Sequence, residues 1–182
     1  MSNSLASAGA GTQAQLAGAR QTRVIGSGPR AGTEFAVTVP TTVTALVEFA
    51  RGGSAQVVFS FDSALVRSGF LEVTGSLGTA VLPDPNRFDG STKLHLRGNA
   101  EPEELAPQGH TASRGTGALE LARAIRAGVP ERAPGELAFH VLDAMLAIEE
   151  SIIRGRSVEV GSTTEVPPTL ADDWDPHTST LA

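Results

Sequence analysis

Between Phe35 and Phe61 apolar residues recur at almost every second position. Phe35, Val37 and Val39 alternate with Ala36 and Thr38, and after Pro40 the row continues as Val43, Ala45, Val47 and Phe49. Arg51-Gly52-Gly53-Ser54 then offers glycines that accept positive φ, and Ala55, Val57, Phe59 and Phe61 resume the row. Side chains alternate between the faces of a strand, so this pattern predicts a β-hairpin with one apolar face. The opposite face holds Thr, Leu, Glu, Gln, Val and Ser, a mixture that implies a second covering layer or a partner.

More strands follow. Phe70 to Thr74 and Thr79 to Leu82 flank a Gly75-Ser76-Leu77-Gly78 turn, and Pro83-Asp84-Pro85-Asn86 stops the second run. Thr92, Leu94 and Leu96 alternate with Lys93, His95 and Arg97, and 101–110 reads as an acidic loop. The period then lengthens. Ala118, Leu121, Ala122 and Ile125 form one helical face, with Ser113 or Thr116 as candidate cap, Gly128 as terminator and Pro130 as stop. A longer helix carries Leu137, Val141, Ala144, Met145, Ile148 and Ile152 between Pro134 and Gly155, and a short strand follows at 157–160. Strands segregated from helices predict an α+β fold, an open, mainly antiparallel β-sheet with helices packed on one face.

The 182 residues amount to about one domain, with 40% hydrophobic and 19% charged residues. Residues 1–19 are Ala, Gly, Ser, Gln and Asn with little to bury, and read as a disordered or low-complexity leader. The domain is expected over 20–162, and a polar, Pro-containing tail with Trp174 as its anchor over 163–182. Cysteine is absent, which excludes disulfides, thiol nucleophiles and Cys-ligated metals. A net charge of -6 argues against a nucleic-acid surface. No apolar run approaches the ~20 residues that span a bilayer, so the expected location is cytoplasmic.

Several motifs invite chemistry. Gly9 to Ala14 and Gly26 to Ala31 match G-x-G-x-x-A, but the dinucleotide fingerprint requires a strand before it and a helix after it. The first has no strand pattern before it, and a strand pattern follows the second. Of His95, His110, His140 and His177, His140 lies on the long helix, with the carboxylates Glu136 and Asp143 at helical spacing. It reads either as a base oriented by an acid or as a hydrogen-bonded histidine at a helix–sheet boundary. The spacings give no metal site and no nucleophile elbow, and Glu103-Glu104 and Glu149-Glu150 point apart as solvated neighbours.

An ordered set of segments says more than any one motif. Gly28-Pro29-Arg30-Ala31-Gly32-Thr33 comes first, then Phe59-Ser60-Phe61-Asp62, then 71–79 as LEVTGSLGT. Leu82-Pro83-Asp84-Pro85-Asn86-Arg87-Phe88-Asp89-Gly90, Arg114-Gly115-Thr116-Gly117, 136–142 as ELAFHVL and Glu150-Ser151 complete it. From about Arg20 to about Pro176 the chain resembles the C-terminal domain of the Gfo/Idh/MocA oxidoreductases, which include glucose–fructose oxidoreductase and inositol 2-dehydrogenase.

The resemblance implies an open sheet with helices on one face and a second subunit against the other. It also implies NAD(P) for the full-length family, held by an N-terminal Rossmann domain with a catalytic lysine in a Glu-Lys-Pro motif. The only lysine here is Lys93, between Thr92 and Leu94, and cannot be that residue. The family's Asp/His pair lies upstream of the matched region. No catalytic, cofactor-binding or metal residue is therefore carried over, and the chain itself is expected to bind no cofactor.

The expected function is the substrate-side or oligomerisation domain of an NAD(P)-dependent sugar- or polyol-type oxidoreductase, not competent alone. The alternative is a non-catalytic dimerising or sugar-binding module derived from that family. A match that starts mid-domain behind a low-complexity leader suggests a split subunit, a truncated product or a misplaced start. The expected partners are a second copy, a Rossmann-bearing protein or a sugar-like small molecule, and neither nucleic acid nor membrane.

Overall fold

The computed structural model describes residues 4–5, 9–11, 22–63, 70–168 and 173–176. The fold is α+β, with open antiparallel sheets and two helices. The chain divides into two compact units, one from 1–65 and 135–166, the other from 66–134 and 167–182.

In the first unit the predicted hairpin is present as β5 (Thr42–Glu48) and β6 (Ser54–Ser60), antiparallel from Thr42↔Ser60 to Glu48↔Ser54. Gly52 and Gly53 take φ of 88° and 89° in its turn, where only glycine is unstrained. Most of the expected leader lies outside the described residues. Its described parts are β1 (Ser4–Leu5) and β2 (Gly9–Gly11). With β11 (Val158–Glu159), the sheet runs β11-β2-β5-β6, and β1 pairs with β12 (Thr164–Glu165).

The strand read through Phe35, Val37 and Val39 is shorter than its alternation suggests. β4 spans Glu34–Ala36 and closes a hairpin with β3 (Thr22–Val24), after which Val39 stands exposed before Pro40. The described ladder pairs three residues of each strand.

Helix α2 (Gly135–Arg154) lies on β2, β11 and β12. Its buried positions are His140 and the small residues Ala147 and Ser151. Ala147 and Val160 form the core there, with Val47, Ala144 and Val158 against them. Val141 and Met145, placed on the apolar stripe by spacing alone, face solvent, as do Phe139, Leu142 and Leu146 on its flank.

The second unit holds the sheet β10-β9-β8-β7, built from β7 (Leu71–Thr74), β8 (Gly78–Leu82), β9 (Thr92–Leu96) and β10 (Glu103–Leu105). The β7–β8 hairpin turns at 75–78, with Thr74 and Thr79 hydroxyls 2.9 Å apart across it. Gly78 is required by contact: a Cβ there would collide with the His95 carbonyl oxygen on β9.

Two expectations for this unit are corrected. The acidic stretch 101–110 is not all loop, because Glu103–Leu105 pairs with β9 and satisfies its outer edge. Helix α1 (Thr116–Ala127) has no side-chain cap from Ser113 or Thr116; it starts from Gly115 at φ 95°, and the Thr116 hydroxyl instead accepts the Ser113 N–H at 3.0 Å. Its end is as predicted, with Gly128 left-handed at φ 66° and Val129 N–H bonded to the Ala124 carbonyl at 3.1 Å.

The helix is also turned from its expected face. Glu120 and Ala124 are buried, whereas Leu121 and Ile125 are exposed. Polar ties set this rotation: Glu120 accepts the Arg132 N–H at 3.0 Å, and Arg123 donates to the Pro176 carbonyl at 2.8 Å. The second of these ties also fixes the described end of the tail, where Trp174 is half-buried.

Candidate functional site

The most organised cluster of chemical groups lies on the buried side of α2. His140 sits mid-helix and Asp143 one turn further on, so both project toward the segment after β11. Ser162, in that segment, joins them. His140 Nδ1 is 2.9 Å from Ser162 Oγ, and the Ser162 N–H donates to Asp143 Oδ2 at 2.8 Å. The Ser162 hydroxyl also bonds the Asp143 carboxylate; with the Ser162 amide N–H, it holds that carboxyl below its ordinary range.

Proton roles follow from valence. An ionised carboxylate only accepts, so the Ser162 hydroxyl donates to Asp143. The Ser162 oxygen then accepts from His140, which assigns the proton to Nδ1. The chain of bonds is His140 to Ser162 to Asp143, and it leaves Nε2 without a hydrogen-bond partner among the described residues. Chemically this is an oriented imidazole whose unprotonated Nε2 can accept one proton. It also clamps α2 to the 161–163 segment.

The structure brings Asp143 to His140 through Ser162 but leaves Glu136 exposed in the first turn of α2, where a carboxylate suits the positive end of the helix. Ser162 is the residue that spacing missed. It is 22 positions from His140, and nothing local marks it.

The other candidates disperse. His95 and Lys93 stand on the exposed side of β9, and His110 is exposed in a loop. His177 lies outside the described residues. Glu103 and Glu104 are on β10, and Glu150 pairs with Arg154 one turn on while Glu149 faces solvent. The run Gly26 to Ala31 is the loop of the β3–β4 hairpin, closed by Gly32 N–H to Ile25 O at 2.8 Å. With strands on both sides it presents no helix N-terminus and does not fit a dinucleotide pyrophosphate. In the other run Gly9–Gly11 is a strand, and 12–14 lie outside the described residues. Among the described residues there is no group of His, Asp or Glu placed to hold a metal ion.

Two further features belong to the first unit. Asp62 accepts from Thr41 and, at 3.0 Å, from Arg23, which also donates to the Phe61 carbonyl at 2.9 Å and lies 5.9 Å from its ring centre. The Thr41 hydroxyl first, and the Arg23 guanidinium with it, lower the Asp62 carboxyl below its ordinary value. This network ties β3 to the end of β6. Beside the C-terminus of α2 lies an open depression of about 690 Å³ whose lining includes Glu48, Phe49, Glu150, Arg154, Arg156 and Glu159. It offers carboxylate acceptors, guanidinium donors and one aromatic face.

No family model matches the chain, and no curated protein matches it significantly. A solved structure does match: the aldose-aldose oxidoreductase from Caulobacter crescentus, complexed with glycerol, at a TM-score of 0.56 and 22% identity. The chain shares part of that structure's fold. The match covers 76% of this chain and 39% of that one, so the chain spans well under half of its structural neighbour. The likeness is one of fold, and agrees with the open-sheet architecture expected from sequence. Among the described residues, no helix is long and apolar enough to cross a membrane.

Proposed function

We propose that this chain is the substrate-side and assembly domain of an NAD(P)-dependent sugar- or polyol-type oxidoreductase of the Gfo/Idh/MocA kind, and that it does not turn over substrate alone. The observation that carries this reading is the fold shared with part of an aldose-aldose oxidoreductase over 76% of the chain. On this reading the hydride-transferring groups and the dinucleotide site lie outside these 182 residues.

The distribution of apolar surface supports an assembly role. Buried apolar positions among the described residues are mostly alanines, while Phe59, Phe61, Phe70, Val73 and Leu77 on or beside the sheets are exposed. Exposed apolar side chains on each unit are the kind of surface that interaction sites use. Size-exclusion chromatography with light scattering tests this part. The reading expects self-association, or complex formation with a Rossmann-bearing homologue, at micromolar concentration; a chain that stays monomeric in both mixtures contradicts it.

The depression at the end of α2 favours a second reading, a sugar-binding module without catalysis. Hydroxyl groups suit a surface of carboxylates and guanidinium groups, and Phe49 could cover an apolar sugar face. Saturation-transfer NMR with glycerol and monosaccharides separates the readings. Saturable binding by the chain alone that is lost in Arg156→Ala supports the module.

A further inference from the structure

We propose that two copies of this chain join edge to edge through β6, antiparallel about a twofold axis near Val57, to form one continuous sheet. The first observation is which backbone groups point outward. Phe61 N–H donates to the Thr41 carbonyl at 2.8 Å, and Phe49 N–H to the Gly53 carbonyl at 3.1 Å. Antiparallel ladders alternate, so the odd-numbered residues of β6 bond to β5. Ser54, Gln56, Val58 and Ser60 therefore direct their N–H and C=O groups away from β5. β6 is the last strand of its sheet, and among the described residues no strand pairs with that side.

The second observation is the composition of this edge. Natural edge strands are shielded by charge, proline, bulges or brevity. β11 is two residues long and carries Glu159, β7 carries Glu72, and β10 carries Glu103 and Glu104. The seven residues of β6, Ser-Ala-Gln-Val-Val-Phe-Ser, include neither charge nor proline nor glycine. Its regular register with β5 shows no bulge. Val58 and Phe59, on opposite faces, are 67% and 65% exposed. Of the edges of the two four-stranded sheets, β6 is the one without a shield.

The occupant follows from self-complementarity. A twofold axis at Val57 sets Gln56 opposite Val58 of the second copy and Ser54 opposite Ser60. These are the outward-facing residues, so they form the hydrogen-bonded pairs. Ala55 then faces Phe59 in the closer, non-hydrogen-bonded position, a small side chain against an aromatic one. No like charges meet anywhere along this register. Such an isologous contact closes on itself. It also merges the apolar surfaces of both copies into a wider one, and it does not depend on the family assignment.

Amide hydrogen exchange with light scattering on the full chain tests the proposal. Expected are a dimer and slow exchange at the Gln56 and Val58 amides, whose N–H groups pair with no strand among the described residues of one copy. Val58→Pro removes only an outward N–H, which an edge strand tolerates. By symmetry it deletes two bonds per dimer and raises the dissociation constant about 30-fold. Val58→Lys has the same direction, with circular dichroism as the check on folding. A monomeric wild-type chain overturns the proposal. So does a dimer in which both amides exchange rapidly, since that dimer uses a face of the sheet. Exchange in the unaltered chain decides the matter even where a variant fails to fold.

Discussion

Replacing Gly78 with alanine is the perturbation whose outcome the structure fixes most closely. An added Cβ would overlap the His95 carbonyl oxygen and lie 3.0 Å from Leu96 Cα and 3.1 Å from the His95 carbonyl carbon. All three are backbone atoms of the neighbouring strand, so no side chain can rotate away. β8 and β9 must separate or slip, and overpacking of this kind costs about 1–3 kcal/mol. Glycine-to-alanine changes gain about 0.4–1 kcal/mol where the conformation allows them, which offsets part of that cost. The expected net loss is about 1–2 kcal/mol. With a urea m-value of about 1–3 kcal/mol/M the midpoint should fall by roughly 1 M at unchanged m. Gly75→Ala is the internal control, because nothing lies within 4 Å of a Cβ there and its φ is not positive. It should raise the midpoint or leave it. A Gly78→Ala protein as stable as wild type would refute the close approach of β8 and β9.

Other predictions rest on the polar clusters and the core. Asp143 and Asp62 both have carboxyls lowered from the ordinary value of 3.8, so each adds stability above that value and loses it as pH falls through the lower folded value. Asp143→Asn and Asp62→Asn should each flatten the acid limb of the stability curve below about pH 4, measured by urea unfolding. Ser162→Ala should remove the acceptor at His140 Nδ1; nitrogen-15 NMR should show the Nδ1-protonated tautomer in wild type and a mixture in the variant. Ala147→Leu should cost about 1–3 kcal/mol, because Ala147 is 5% exposed in a core closed by Val160, Val47 and Val158.

What was legible in the sequence was local. The β5–β6 and β7–β8 hairpins follow from alternation around glycine turns, and Gly128 marks the end of α1 because a left-handed residue is needed there. Partition of the strands into separate sheets was not legible. Pairing of β2 between β5 and β11 joins segments far apart in sequence, and short strands carry too few residues to show a period. The outward turn of Leu121 and Ile125 was equally hidden. It is set by Glu120 and Arg123 bonding to backbone beyond the helix, and polar ties leave no trace in apolar spacing. At the candidate site, His140 and Asp143 were visible as neighbours on one helix, but Ser162 reaches them only through tertiary structure.

Fluorescence titration with NADH and NADPH is the most direct test of the proposed role, which places the dinucleotide site outside these 182 residues. The chain alone should give no saturable change with either nucleotide up to millimolar concentration. Added to a Rossmann-bearing homologue, it should alter that protein's aldose oxidation or oligomeric state. Saturable micromolar binding of NADH or NADPH by the chain alone would contradict the account.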